Sequence, residues 1–372
     1  MRPNYSVRMC AAPRRSTPSS TLLSSLTHAP RAYSTSTSST ETPQFTPSNR
    51  LKGRSCIITG ASSGIGYAIA DRFLQEGVSQ LILVGRSHSR LIDAASRLEG
   101  ASSSSSSSTY KATDADPSPP HHELLPYSPT ISLLIGDIAS AGTWTRELEK
   151  VMQTTNPTIL INAAGLSISS LLAKSSPSTI AQILDTNLQG AILTTRAFLR
   201  AAMRNRVRVR RGSTDTPTQS EADAAADAGA GGSGVSGGSA ASAAGNNAPQ
   251  PSKCIINIAS LLAHKGGTGA VTYAASKAGI LGLTRSVAVE AAGTVASMPG
   301  AVPVRANVIV PGYVETPMIS DFTEGETTRL KQSIPLGRFG LPQEVADAAV
   351  FLAENEYANN CVLNLDGGLS AV

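Results

Sequence analysis

The chain has 372 residues, 41% of them apolar and 15% charged, with a net charge of +5. That is enough for one large domain or two small ones of ordinary globular composition. No run approaches the ~18 consecutive apolar residues of a membrane span. The four cysteines are scattered without a C-x-x-C pair and the five histidines lack metal-ligand spacing, so neither a disulfide scaffold nor a metal centre is expected.

The charge is concentrated at the start of the chain. Arg2, Arg8, Arg14, Arg15 and Arg31 account for the whole net charge, and the first acid is Glu41. The basic balance is therefore no sign of nucleic-acid binding by the rest. Arg- and Ser-rich, acid-free sequence has the composition of an organellar transit peptide rather than a secretory signal. Leu22, Leu23 and Leu26 give it a mildly amphipathic pattern, and Arg31-Ala32-Tyr33-Ser34 resembles a mitochondrial processing site. Residues 1–49 are expected to be a leader directing import into the mitochondrial matrix; a tail on a cytoplasmic protein is the alternative.

From Leu51 onward apolar runs alternate with helical stretches. Strands are predicted at Ser55–Thr59, Leu81–Gly85, Ile131–Gly136, Ile159–Asn162, Cys254–Ile258, Arg305–Val310 and Val362–Leu365. Most are continuously apolar, as in strands buried on both faces. The alternation predicts an α/β fold, a three-layer, Rossmann-like doubly wound sheet of about seven parallel strands. Two stretches rich in Ser, Gly, Ala and Pro, about 100–129 and 207–252, have little to bury and are expected to be disordered insertions. A shorter insertion is expected near 293–303. Strand–helix units continue on either side, so 50–372 is expected to be a single domain with a core of about 250 residues.

The first chemical signal is CIITGASSGIGYAIA, residues 56–70. A buried strand runs into glycines at 60, 64 and 66, and a helix follows. Such a loop turns tightly, lets phosphates approach the backbone, and lets helix and strand pack closely. The helix N-terminus offers free N–H groups and a positive dipole end to a pyrophosphate. No acid follows the second strand, where an NAD-selective site would hold the ribose 2′-hydroxyl. Gly85 and Arg86 stand there instead, and an arginine suits the 2′-phosphate of NADPH; the alternative is that Arg86 faces solvent.

A second signal is TYAASKAG, residues 272–279. It puts Tyr273 and Lys277 four apart, on one helix face. A free phenol with a pKa near ~10 is a poor acid at neutral pH, and a neighbouring ammonium is expected to lower it. Ser260 follows a buried strand thirteen residues before Tyr273.

With these residues in place, the segment from about 50 to 372 resembles the short-chain dehydrogenase/reductase family. The matching stretches are TGASSGIG (59–66), GDI (136–138), NAAG (162–165), DTNLQG (185–190), INIAS (256–260), YAASK (273–277) and PGYVET (311–316). One departure is Ala163, where the family usually has a second Asn. The resemblance implies a catalytic set of Ser260, Tyr273, Lys277 and Asn187, with Asn187 holding a water in a proton relay. It implies an NADPH/NADP+ site at Gly60, Ser62, Ser63, Gly64, Ile65, Gly66, Arg86, Asp137, Ile138, Asn162, Ala163, Gly165, Tyr273, Lys277, Pro311, Gly312, Val314 and Thr316. Asp137 would bond the adenine, and Thr316 the nicotinamide carboxamide.

The tail at 334–368 resembles 3-oxoacyl-[acyl-carrier-protein] reductases and related carbonyl reductases. It implies a homo-oligomer, a tetramer or dimer, with the helix after Pro342 at an interface. Reduction of a 3-oxoacyl thioester, free or on an acyl-carrier protein, is the leading expectation. The alternatives are a carbonyl, quinone or polyketide ketoreductase, or a non-catalytic cofactor-sensing protein. The basic run RNRVRVRR (204–211) reads equally as a dock for an acidic carrier or as a solvated charge run.

Overall fold

The computed structural model describes residues 48–102, 123–212, 251–296 and 302–372. The leader, most of both long insertions and the middle of the short one lie outside the described residues. Pro47–Val372 forms one compact unit.

Among the described residues eight strands form one sheet: β1 (Ser55–Thr59), β2 (Gln80–Gly85), β3 (Leu124–Pro126), β4 (Ile131–Ile135), β5 (Ile159–Asn162), β6 (Lys253–Ile258), β7 (Val304–Pro311) and β8 (Val362–Leu365). Their order is β3-β4-β2-β1-β5-β6-β7-β8. Every pairing is parallel except β3 with β4. The seven expected strands are present, with ends moved by at most one residue.

The helices are α1 (Gly64–Gln75), α2 (His88–Ser102), α3 (Thr143–Thr155), α4 (Pro177–Leu184), α5 (Gly190–Gly212), α6 (Val271–Ala296), α7 (Glu324–Ser333) and α8 (Pro342–Glu354). Alternate residues of each strand face opposite sides, so Ile58 packs toward α1, α2 and α8, while Ile57 packs toward α3, α5 and α6. All residues of β4, β6 and β7 are buried, because both faces are covered.

The chain departs from β1 in both directions, through β2 and through β5. This is the switch point of an open α/β sheet, where a crevice forms beyond the carboxyl ends of the strands.

The predicted insertions need correction at their ends. Residues 124–126 form the antiparallel edge strand β3. A turn follows in which Tyr127 and Ser128 donate to the Ile131 carbonyl, both at 2.9 Å. Leu124 and Leu125 have apolar surface to bury against β4, and Tyr127 is itself buried. At the second insertion α5 continues through Gly212, and the chain re-enters at Ser252, which is buried. There Arg54 donates to the Ser252 carbonyl at 2.8 Å and Arg305 to its hydroxyl at 2.6 Å. Lys253 donates to Asn156 Oδ1 and the Pro157 carbonyl at 2.8 and 2.7 Å. Of the basic run, Arg204 is exposed on α5; the side chains from 206 onward lie outside the described residues.

A buried carboxylate anchors the start of the domain. Glu76, at the end of α1, is wholly inaccessible to solvent. It pairs with Arg50 at 2.5 Å and Arg72 at 2.6 Å, and accepts from the Ser48 hydroxyl at 2.5 Å. Arg72 also meets Asp347 of α8 at 2.7 Å. The hydrogen bond from Arg50 leads in holding the Glu76 carboxyl down at about 2.

Candidate active site

The glycine loop lies between β1 and α1. Gly60 has φ +71°, and a Cβ there would come within 2.7 Å of the Ala164 backbone. A Cβ on Gly66 would overlap the carbonyl oxygen of Gly60, so α1 can pack this closely only with glycine. Ser63 precedes α1 without capping it through its side chain, so the first-turn N–H groups and the positive helix end face the loop. Across the crevice, a Cβ on Gly64 would stand 3.4 Å from Thr316 Cγ2.

Thr316 begins the short turn at Pro317–Ile319 that follows β7. Pro311 ends β7, Gly312 donates to the Leu365 carbonyl at 2.8 Å, and Val314 bridges to Gly340. Asp137 follows β4 and accepts from the Ala139 N–H at 3.0 Å. Ile138 beside it is buried against Gly190. Arg86, just past β2, is exposed. The uncapped helix end, the glycine cradle and the facing Thr316 turn fit a dinucleotide: the loop and helix end would hold the phosphates, and the Thr316 turn the nicotinamide end.

The reacting groups gather above β5 and β6. Ser260 follows β6 and accepts from the Leu262 N–H at 3.2 Å, which fixes its rotamer. Its hydroxyl lies close enough to the Tyr273 phenol to act on that group's proton affinity. Tyr273 is 9% exposed and Lys277 5%. Lys277 Nζ lies 5.8 Å from the centroid of the Tyr273 ring and donates to the Ile258 carbonyl at 2.9 Å.

Here the electrostatics differ from expectation. Burial pushes the Tyr273 phenol up, opposed by the nearby Ser260 hydroxyl. Burial alone pulls the Lys277 ammonium down to about 8. Enclosure disfavours both charged forms, and the ammonium is engaged by a main-chain carbonyl. Tyr273 is thus held as a protonated donor rather than as a ready phenolate.

Asn187 is 1% exposed, on a π-helical turn, Asp185–Gln189, between α4 and α5. Its Oδ1 accepts from the Leu166 N–H at 2.7 Å. Its Nδ2 donates to the Leu166 carbonyl at 2.9 Å and to Ser276 Oγ at 3.0 Å. Ser276 Oγ donates in turn to the Tyr273 carbonyl at 2.6 Å. Both amide protons are therefore committed to framework, and a relay water would have to use the remaining acceptor capacity of Asn187. Ser276 was not singled out in the sequence, although it lies inside the YAASK stretch. A Cβ on Gly165 would sit 3.4 Å from Lys277 Nζ and 3.7 Å from Asn187 Oδ1, so this glycine keeps the pocket open.

Asn162 braces the floor. Its Nδ2 donates to Asn257 Oδ1 at 2.8 Å and Thr195 Oγ1 at 3.1 Å, and its Oδ1 accepts from Thr194 at 2.6 Å. Asn257 continues to Thr284 of α6 at 2.9 Å. Ala163 is half-buried beside the Gly60 turn. All four expected catalytic residues meet in this site, and the structure surrounds them with a satisfied polar network that the sequence did not reveal.

Comparison with known proteins agrees. The family model described as short chain dehydrogenase matches residues 54–124, and that described as Enoyl-(Acyl carrier protein) reductase matches 234–370. The chain is 31% identical to a human protein named 3-oxoacyl-[acyl-carrier-protein] reductase, over 85% of this chain and 98% of the relative. It is 33% identical to carbonyl reductase family member 4 of Danio rerio, over 60% of this chain and 72% of the relative. A structure from Beutenbergia cavernae, named for an NAD(P)-dependent gluconate 5-dehydrogenase and carrying NADP at low occupancy, shares the fold. Its TM-score is 0.62 at 24% identity, covering 87% of this chain and 98% of the other. The chain belongs to the short-chain dehydrogenase/reductase family, oxidoreductases that act on CH–OH and C=O groups with NAD(P). Among the described residues no helix is long and apolar enough to cross a membrane.

Proposed function

We propose that this chain catalyses the NADPH-dependent reduction of a 3-oxoacyl thioester, carried on an acyl-carrier protein, to the 3-hydroxyacyl form. The observation that carries this reading is the likeness to relatives named for that activity over 97–98% of their own length. The enclosed Ser260–Tyr273–Lys277 set supports it.

When bound, the nicotinamide cofactor supplies a hydride. The chain's own residues supply the rest. The Ser260 and Tyr273 hydroxyls, which face the same pocket, are placed to receive one carbonyl oxygen together. Tyr273 donates its proton at Oη as that oxygen gains charge. Lys277, charged below about 8, favours the phenolate left behind and is suited to orient the cofactor's ribose. Asn187 and Ser276 hold the Tyr273 turn and the Leu166 backbone, in the segment after β5, in register. Arg86 supports the choice of NADPH.

The test is turnover of an acetoacetyl thioester, on carrier protein and on coenzyme A, with NADPH and NADH side by side, and of quinones. Thioester reduction with NADPH is expected; quinone turnover without thioester turnover overturns the reading. That outcome would instead favour a carbonyl reductase acting on a small free substrate, the reading supported by the Danio rerio relative. Residues 1–49 are proposed to direct the chain to the mitochondrial matrix. A reporter carrying them should co-fractionate with matrix protein, and a cytosolic reporter overturns that proposal. The exposed Phe351 on α8 and Val362 on the open edge of β8 support a homo-oligomer, which sedimentation would test.

A further inference from the structure

The glycine loop has no cation of its own. Ser62 and Ser63 occupy the positions before Gly64. Helix α2 supplies one from the side. Arg97 Nη2 reaches the Ser62 carbonyl at 3.5 Å, and the guanidinium lies over the Tyr67 ring, 4.4 Å from its centroid. Tyr67 is half-buried in the first turn of α1. The loop is tied to the second strand by Gly60 and Ala61, which donate to the Val84 carbonyl at 3.0 and 3.4 Å. Arg86 leaves that strand two residues later and is exposed.

One guanidinium is thus fixed on the loop through α2, and a second basic residue, Arg86, leaves the end of the strand to which the loop is tied. Stacking on Tyr67 holds the planar group of Arg97 in one orientation, which lowers the entropy lost when it binds an anion. Its Nε donates to the Asp93 carbonyl at 3.3 Å and Nη2 makes the long contact to Ser62, which leaves three of the five N–H donors for an anion.

We infer that Arg97 is a specificity-determining residue. It forms, with Arg86, a two-arginine clamp for the 2′-phosphate that separates NADPH from NADH. Arg97 touches the loop backbone while Arg86 leaves the strand end, so a phosphate dianion at the loop's outer edge would be held from two sides. Tyr67 is the positioning residue that aims the clamp. This inference rests on the NADPH reading above and adds the residue that sets it.

Equilibrium binding of NADPH, NADH, 2′,5′-ADP and ADP to the intact protein, followed by nicotinamide fluorescence and calorimetry, tests both. The unaltered protein is expected to prefer NADPH over NADH and 2′,5′-ADP over ADP. Arg97→Gln is expected to weaken the two 2′-phosphorylated ligands by about tenfold or more, the value of one charge-assisted hydrogen bond. NADH and ADP affinities should stay unchanged. Tyr67→Leu should give part of the same loss, and the difference between paired ligands should shrink with added salt. If the unaltered protein shows no preference, the NADPH reading itself fails. If it prefers NADPH and Arg97→Gln keeps that preference, or weakens all four ligands equally, the clamp is wrong and Arg97 only braces the loop.

Discussion

Replacing Glu76 with Gln removes the charge on which Arg50 and Arg72 converge while keeping the shape of the side chain. The carboxyl sits at about 2, against an ordinary 4.5, chiefly through the Arg50 hydrogen bond. At 1.36 kcal/mol per pKa unit that gap is worth about 3 kcal/mol. Arg50 is one-third exposed, and solvent screening trims the figure to about 2 kcal/mol. A single domain of this size loses about 2–4 °C in Tm per kcal/mol, so Glu76→Gln should melt about 4–8 °C lower at neutral pH. The sign with pH follows from the depressed value. The folded state holds the proton less tightly than the unfolded chain, so this stabilisation is complete above the unfolded pKa and vanishes as pH falls toward about 2. Urea midpoints for both proteins between pH 7 and pH 2.5 measure it, and the gap should close on the acid side. A variant that melts with the original at neutral pH, or a gap unchanged at the acid end, would show that the buried cluster contributes packing and not charge.

Tyr273→Phe should cut turnover by at least about 100-fold, the usual contribution of a placed general acid, while cofactor titration is unchanged; retained turnover would remove Tyr273 from its assigned role. Because burial brings Lys277 to about 8, kcat/KM for reduction should fall as pH rises through that value, and Lys277→Arg should move the falling limb upward whatever its absolute rate, since guanidinium stays charged. A limb at the same pH in both proteins would assign it to another group. Gly66→Ala drives a methyl into a main-chain oxygen and should cost about 1–3 kcal/mol in denaturant midpoint, with weaker cofactor binding. Gly282→Ala meets nothing within 4 Å on the exposed face of α6 and should instead stabilise by about 0.5–1 kcal/mol.

The parallel strands were legible because strands covered on both faces must be apolar throughout. Ile57 and Ile58 face opposite layers yet are equally enclosed. Strand β3 was not legible. Leu124 and Leu125 are two apolar residues in a Pro- and His-rich stretch, and only the β4 edge, supplied by the tertiary fold, makes them a strand. The catalytic set could be read from spacing and order, since Tyr273 and Lys277 share a helix face. The direction of the Tyr273 shift could not, because it depends on how fully the fold excludes water. Asn187 was found, but not its attachment to Ser276, and Arg97 was invisible because α2 and the glycine loop meet only in three dimensions.

The pinned re-entry at Ser252 has a consequence for how freely this chain can vary in length. Arg54, Lys253 and Arg305 fasten the beginning of β6, at the end of the strand opposite to Ser260. The closure cost of a connection there grows only with the logarithm of its length. Strand β6 runs from this anchor to the residues just before Ser260, so the fastened end and the chemistry stand a full strand length apart. A change in length before Ser252 therefore meets a fixed point at the start of β6 before it can be felt along the strand.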